Sequence, residues 1–354
     1  MNILRIYPFI PPLVGGMEKH ILRLSQEQRR LGHKVSIAYN QGTATSSDDI
    51  HISSRIKLKG LRPQAIRDGI FYLKLIVYIL RNKPQFDVVH IHGAWSSFLF
   101  GFVLKKTCHA NVLVASVHGQ LKNNRAWRFI HKIVLSKFDF IYCTGNRDVD
   151  YLNIITDTRV YWRSSGFDEC FLPNNNNAIK DIDVVNIGSF VHVKNHALML
   201  EIADSLPNLT FAFIGTGPLL EKTKSLANKK NITNIKFLGQ LNYKEVADIL
   251  KRSKIFLMTS FTEGTPTAFL EAMATGNVLV TSNSNDFNQI IDDNRTGYII
   301  NDFNPDSYSK VISELLADEK KLHLMSKDNI YKARDYSWPK VAKDITDWMT
   351  FENR

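Results

Sequence analysis

Glu263 and Glu271 bracket the seven residues Gly264-Thr265-Pro266-Thr267-Ala268-Phe269-Leu270, in a stretch that reads as a loop running into a helix. A carboxylate at the loop end can accept two hydroxyl hydrogen bonds, which is what a sugar presents. Thr265 suits a helix N-cap and Pro266 the first helical position. Helix-forming sequence then runs from Ala268 to Thr275 and stops at Gly276. The amides of Thr267 and Ala268 have no partners inside such a helix, and with the positive end of the helix dipole they form a seat for phosphate. The spacing points to a donor-sugar site: Glu263 meets hydroxyls, and Glu271, inside the helix, meets a different part of the ligand. Taken alone, such a pair is more often a solvated loop acid and an acid favoured by the first turns of a helix.

Other residues with chemical potential also follow apolar runs. Gly188-Ser189-Phe190-Val191-His192-Val193-Lys194 delivers a lysine able to neutralise a diphosphate leaving group. Gly215-Thr216-Gly217-Pro218 and Phe237-Leu238-Gly239 offer loops for a nucleotide base and ribose. His118-Gly119 closes the run Val112 to Val117 and puts an imidazole at a strand end. In Val88-Val89-His90-Ile91-His92-Gly93 the two histidines alternate along a strand, so one of them is expected to face the ligand. Pro8 to Gly16 follows the first run, and Gly15-Gly16 opens a helix where a substrate can approach bare amides. Neither Gly-x-Gly-x-x-Gly nor Gly-x-x-x-x-Gly-Lys-Ser/Thr is present, which weighs against dehydrogenases and nucleoside triphosphatases.

The elements that must carry these residues are short apolar strands alternating with helical patterns, the mark of parallel α/β sheets. Strands are expected at Ile3 to Tyr7, Val35 to Tyr39, Val88 to His92, Val112 to Val117 and Phe140 to Cys143. A second series is expected at Asp183 to Ile187, Thr210 to Ile214, Ile235 to Leu238, Ile255 to Met258 and Val278 to Thr281. Met17, Ile21, Leu24 and Leu31 mark the apolar stripe of the first helix, which Gly32 ends. A chain of 354 residues with 44% hydrophobic residues can bury two cores. The reading is therefore two doubly wound, Rossmann-like domains facing across a cleft: residues 1–171 and 182–335, joined by a polar linker at 172–181 containing Asn174 to Asn177. In open sheets of this kind ligands sit beyond the carboxyl ends of the strands. A last helix, at 336–354, is anchored by Trp338 and Trp348 and is expected to cross back to the first domain.

Together these residues resemble the retaining, nucleotide-sugar-dependent glycosyltransferases of family 4 (glycosyl transferases group 1), which have the GT-B fold. The resemblance spans nearly the whole chain. It rests on the Glu263 to Glu271 stretch followed by Ala272-Met273-Ala274-Thr275-Gly276, on Gly15-Gly16-Met17-Glu18, on Asp87 to His92, and on Gly188 to Lys194. It implies that Glu263 binds hydroxyls of the donor sugar, Glu271 the ribose and Lys194 the diphosphate, with the Thr265, Pro266 and Thr267 backbone assisting. His118, Lys194 and Glu263 are the catalytic candidates. Gly15, Gly16, Ser189, Gly215 and Leu238 complete the donor side, and Glu18, Lys19, His92 and Trp95 the acceptor side. Ser189 stands where the family usually has Arg, and Ser164-Ser165-Gly166-Phe167-Asp168 where it more often reads Pro-Asn-Gly-Val-Asp. The implied reaction moves a hexose or related sugar from a UDP- or GDP-sugar to a hydroxyl of a lipid-linked or polysaccharide acceptor, with retention. The implied setting is bacterial surface polysaccharide synthesis, such as lipopolysaccharide or capsule. No metal or other cofactor is expected: Asp148-Val149-Asp150 and Asp181-Ile182-Asp183 imitate a metal motif outside its strand-end context. A GT-B nucleotide-sugar epimerase and a non-catalytic nucleotide-sugar-binding protein are the alternatives.

Charge bears on partners. Residues 1–171 carry 24 Lys+Arg against 12 Asp+Glu, whereas the remainder carries 21 against 22. The basic residues are scattered over helices instead of being interleaved with aromatics in one segment, which disfavours nucleic acid. Lys105-Lys106, following apolar Phe98 to Leu104, with Lys122, Arg125, Arg128, Lys132 and Lys137, suit an anionic membrane surface. The longest apolar stretch, Gly69 to Leu80, is broken by Lys74 and falls short of the about 20 residues a span needs. Asn2 to Tyr7 lacks a signal-peptide layout, and Cys108, Cys143 and Cys170 form no disulfide or metal pattern. The expectation is a cytoplasmic protein, peripheral at the inner face of the membrane.

Overall fold

The computed structural model describes residues 1–12, 16–54, 64–93, 95–118, 121, 124–173, 179–263, 267–283 and 290–352. The chain divides into two compact units: Met1–Ser165 with Trp338–Arg354, and Gly166–Ser337. This division precedes the expected boundary after residue 171. Phe171 is fully buried, and the short 3-10 turn Glu169–Phe171 packs within the second unit. Asn174 to Asn177 lie outside the described residues.

The first unit runs β1 (Asn2–Ile6), α1 (Gly16–Arg30), β2 (Lys34–Tyr39), β3 (Ile50–His51), α2 (Gln64–Asn82), β4 (Val88–Gly93), α3 (Trp95–Phe98) and α4 (Gly101–Thr107). It continues through β5 (Val112–Val117), α5 (Arg125–Leu135), β6 (Phe140–Cys143), α6 (Asn146–Ile155) and β7 (Arg159–Trp162). Its seven strands are parallel, in the order β3-β2-β1-β4-β5-β6-β7. Helices cover both faces, so the inner strands are buried on both sides and read as nearly unbroken apolar runs; every residue of β5 is buried. One face packs Phe71, Leu75 and Leu104 against Leu113 and Ile141. On the other, the last helix of the chain covers Val112, Val114 and Phe140 with Val341, Ile345 and Met349.

The second unit runs β8 (Ile182–Ile187), α7 (His196–Ser205), β9 (Phe211–Ile214), α8 (Leu220–Lys229), β10 (Ile235–Gly239), α9 (Tyr243–Lys251) and β11 (Ser253–Met258). It continues with α10 (Thr267–Ala274), β12 (Val278–Ser282), β13 (Gly297–Ile300), α11 (Pro305–Ala317) and α12 (Glu319–Ala333). The last helix, α13 (Trp338–Glu352), belongs to the first unit and packs on α1 and β5. The second sheet has the order β10-β9-β8-β11-β12-β13, again all parallel. In each unit the order reverses between two neighbouring strands, β1 and β4 or β8 and β11. Adjacent loops there leave in opposite directions and open a crevice.

The α1 stripe differs from expectation at one end. Ile21 and Leu24 are buried, but Leu31 lies beyond the last turn and is 46% exposed. Gly32, at φ +85°, turns the chain away as expected of a C-terminal cap.

The loops after β8 and β9 interlock through glycine. Gly215 sits at φ +139°, and a Cβ there would lie 2.0 Å from the Gly188 carbonyl oxygen. Gly215→Ala therefore combines a backbone conformation closed to L residues with a clash against main chain. Gly239, at φ +67° with nothing within 4 Å of where a Cβ would stand, carries only the left-handed penalty. Chemical unfolding of the two alanine variants is expected to show a loss of roughly 3 kcal/mol or more for Gly215. The loss expected for Gly239 is about 1 to 2 kcal/mol.

Candidate active site

In the second unit, Lys194 and Glu263 come from the two loops that flank the strand-order reversal. The chain leaves β8 at Gly188, forms one 3-10 turn at His192–Lys194 and enters α7 through Asn195 in the left-handed conformation, φ 50°. The segment after β11 is sewn to this turn: the Phe261 amide donates to the Val193 carbonyl at 2.9 Å, and the Thr259 hydroxyl to the carbonyls of Lys194 and Asn195 at 3.3 and 3.1 Å. Asn186, within β8, donates to the Leu257 carbonyl at 2.8 Å. This bracing brings the Lys194 ammonium 2.5 Å from a Glu263 carboxylate oxygen. The two side chains are 18% and 11% exposed, so the charges meet with little water around them. The stem of Lys194 runs over Gly188, where a Cβ would meet it at an ordinary contact distance of 3.5 Å. Glu271 is 5% exposed, in the middle of α10, whose first residue is Thr267.

In the first unit, His92 and His118 end the neighbouring strands β4 and β5, and His20 faces them from α1. His92 Nδ1 and His118 Nε2 share a hydrogen bond of 3.0 Å. His20 Nδ1 is bonded to Ser165 Oγ at 2.9 Å, and its ring centroid lies 4.8 Å from that of His118. The His90 ring lies 4.1 Å from that of His92, tilted by 36°, and bonds Ser116 Oγ at 2.6 Å. The expectation that only one of His90 and His92 faces inward is corrected here. Alternation separates residues one apart, whereas residues two apart share a face; both are fully buried. Burial pushes the His118 imidazole down to about 4 and holds His20, His90 and His92 well below the usual histidine range, with each other's charge and that of Arg5 adding to the effect. All four rings are neutral at pH 7.

Of the other candidates, Gly15, Gly119, Lys122, Thr265 and Pro266 lie outside the described residues, as does the side chain of Trp95 at the start of α3. Gly16 opens α1, and Glu18 accepts a 3.4 Å hydrogen bond from the Tyr7 hydroxyl. Lys19 lies on the same first turn, half-buried. Ser189 is exposed, Leu238 is half-buried in β10, and Gly215 serves the loop contact described above. The Asp181 and Asp183 carboxylates are taken by Arg252 and Lys254, and Asp148 accepts from the Leu121 amide inside the first unit. Lys105, expected at a membrane surface, is instead held by Asp139 at 2.7 Å. Sequence reading missed His20 and Arg5. The available signal was polar residues, His20 and Gln28, at helical spacing with apolar Leu24.

The "Glycosyl transferases group 1" family model matches residues 171–332, and that of "Glycosyltransferase Family 4" matches residues 14–155. The chain belongs to the group 1, family 4 glycosyltransferases. It is 24% identical over 367 residues to a phosphatidylinositol N-acetylglucosaminyltransferase subunit of Arabidopsis thaliana, covering 97% of this chain and 80% of that one. It is 26% identical over 283 residues to the UDP-Gal:alpha-D-GlcNAc-diphosphoundecaprenol alpha-1,3-galactosyltransferase of Escherichia coli, covering 71% and 72%. Among solved structures it is similar to Anabaena HepE in complex with UDP and glucose, with a TM-score of 0.77 at 13% identity, covering 99% and 100%. The glycosyltransferase has the GT-B fold, two doubly wound parallel sheets.

The neutral histidines make stability depend on pH. Unfolded, a histidine titrates near 6.5; folded, His118 titrates near 4. As pH falls below about 6.5 the unfolded chain takes up protons that the folded glycosyltransferase refuses, so stability drops until about pH 4 and levels off below. His118 alone contributes on the order of 3 kcal/mol to this loss. Thermal melts between pH 7.5 and 4.5 are expected to show the fall, with a shallower slope in His118→Asn.

Proposed function

We propose that this glycosyltransferase moves a hexose or related sugar from a UDP- or GDP-sugar to a hydroxyl of a lipid-linked or saccharide acceptor, with retention of anomeric configuration. The observation that carries the reading is the Lys194–Glu263 ion pair at the strand-order reversal of the second unit. A lysine can meet the negative charge that grows on a departing nucleoside diphosphate, and a carboxylate can accept hydrogen bonds from sugar hydroxyls. Because the two are paired with each other, an arriving donor exchanges partners: phosphate oxygens take the ammonium, and hydroxyls take the carboxylate. Glu271 is assigned to the ribose, and His118 contributes a neutral imidazole able to accept or pass a proton. The donor's own phosphate oxygens can receive the proton of the attacking hydroxyl, so no resident metal is assigned a role in the transfer.

The relatives' names support the substrate class. The Escherichia coli enzyme is named for a UDP-sugar donor and a diphosphoundecaprenol-linked acceptor, and HepE was solved with UDP and glucose. A membrane partner is supported by the first unit, which exposes Leu73, Val77 and Leu80 on α2, Phe102 on α4, and Phe129 and Ile133 on α5. Lys106 and Lys137 lie over the Phe102 ring at 4.5 and 5.2 Å, placing cations around an exposed aromatic, as at a lipid headgroup boundary. No described helix is long and apolar enough to cross a membrane. We therefore place the enzyme at a membrane surface in surface-polysaccharide synthesis.

Donor identity is read by thermal stabilisation with UDP-, GDP- and ADP-sugars, followed by analysis of the product and its anomer. Nucleotide release in step with acceptor distinguishes a transferase from an epimerase or a binding protein. Lys194→Ala and Glu263→Ala are each expected to lower turnover at least about tenfold, a conservative bound against the roughly 100- to 1,000-fold that losing one charge-stabilising contact costs. Near-normal turnover in either variant removes that residue from the mechanism. Sedimentation with vesicles is expected to show binding to phosphatidylglycerol but not phosphatidylcholine, weakening with salt and in Phe102→Asp. An absence of binding at low salt excludes the membrane partner.

A further inference from the structure

We infer that His20, His92 and His118 form a binding site for a borderline divalent transition-metal ion, typified by zinc, and that its occupancy shuts the transferase off. One nitrogen from each of the three rings falls in a cluster with no separation above 4.8 Å. Two of these rings are already close to ligand spacing: His92 Nδ1 and His118 Nε2 are 3.0 Å apart. Two imidazole nitrogens on a tetrahedral zinc, with bonds of about 2.05 Å, are about 3.3 Å apart. The contact is now a hydrogen bond holding one proton between two neutral rings. When a metal ion enters, that proton moves to the far nitrogen of the ring that carried it, and both rings, still neutral, bond the ion through nitrogen lone pairs.

His20 is set up in the manner of a metal ligand. One ring nitrogen, Nδ1, is engaged by Ser165 Oγ, the kind of second contact that orients a ligating imidazole and fixes its tautomer. The other, Nε2, is buried and has no hydrogen-bond partner. An unpartnered buried nitrogen in a polar cluster is costly, and a cation satisfies it. The three rings are held from three different elements, α1 and the ends of the inner strands β4 and β5, so the cluster has the rigidity of the centre of the sheet.

The donor set also selects the ion. Three imidazoles suit zinc, cobalt, nickel or copper, whereas magnesium and calcium demand oxygen ligands that this trio does not offer. His118 is only partly buried, which gives the ion a way in and leaves room for a water or anion as fourth ligand. Arg5 lies behind His90, its guanidinium 3.5 Å from that ring. Its positive charge opposes a dication nearby, so binding is reversible and serves as regulation, not as a structural staple. Fixing His118 to a metal withdraws the nitrogen that the proposed transfer uses. This second half rests on that reading, but binding itself does not.

The test uses the full chain, stripped with EDTA and returned to metal-free buffer. Cobalt is expected to bind at one equivalent with the strong visible absorption of a tetrahedral site, and zinc to displace it. His20→Gln and His92→Gln are each expected to abolish the band, while His192→Gln, on an exposed turn, keeps it. X-ray absorption of the zinc-loaded wild type counts bound imidazoles without any variant and is expected to find about three. No saturable cobalt or zinc binding overturns the site, as does binding that survives in both cluster variants or a zinc ion with fewer than two imidazoles. Transfer is expected to proceed in EDTA, to fall at least tenfold on zinc loading, and to recover when EDTA is restored. Undiminished transfer by the zinc-saturated enzyme overturns the inhibitory role. Absence of transfer even in EDTA points instead to failure of the transferase reading, leaving the metal measurements to stand or fall separately.

Discussion

A fully buried guanidinium organises the first unit. Arg5, in the middle of β1, donates to Ser25 Oγ and Gln28 Oε1 at 2.5 Å each, both on α1, and approaches His90 on β4 at 3.5 Å. Among the described residues none of these partners is acidic. Removing a cation from water costs several kcal/mol, and here neutral acceptors must offset it. Burial lowers the Arg5 pKa only to about 9, so the charge persists at neutral pH. Several features follow from that charge. The histidines around it are held neutral first by burial and further because protonating them would set like charges together. Gln28, having given its oxygen to Arg5, turns its amide toward Thr346 at 2.9 Å, which ties α13 to α1. At His20 and His92 the Arg5 charge thus reinforces a neutrality that burial already imposes on the whole cluster.

The second unit is organised differently, by main-chain complementarity. Gly215 and Gly217 let the loop after β9 press against the backbone of the loop after β8, and reciprocal bonds join Phe190 to Thr216 and Leu219 at 2.9 Å. The His196 ring stacks on Phe190 at 4.0 Å and closes the underside. Lys194 therefore projects from a turn fixed on several sides, which suits a group meant to meet charge without reorganising. Ser189, earlier in the same loop, is exposed and brings no charge, whereas Lys194 is held against Glu263.

How far this could be read from sequence depended on where each element sits in its sheet. The inner strands declared themselves because burial on two faces demands long apolar runs, as in Val112 to Val117. The three strands that went unread, β3, β7 and β13, each close a sheet edge, where one neighbour is missing and an exposed Arg159 or a half-buried Tyr161 is tolerated. Lys194 and Glu263 were legible because they follow strands, but their mutual ion pair was not, since nothing local records that the loops after β8 and β11 lie side by side. His20 was hidden by its setting. A histidine in an amphipathic helix gives no sign of which polar residue on a distant strand it will meet, and His92 and His118 lie far along the chain.

The connection of α13 to the first unit gives this protein an unusual order of assembly. The second unit is one continuous stretch of chain, Gly166–Ser337, whereas the first is completed by Trp338–Arg354. During synthesis the first sheet emerges early, with Val112, Val114 and Phe140 still lacking the helix that covers them. The second unit has everything it needs to fold while that surface waits. Closure of the first core, including the Gln28–Thr346 bond, falls to residues translated only after the whole second unit. Until α13 emerges, the nascent chain is a complete second unit preceded by an unfinished first one, and that interval is when it most needs a chaperone.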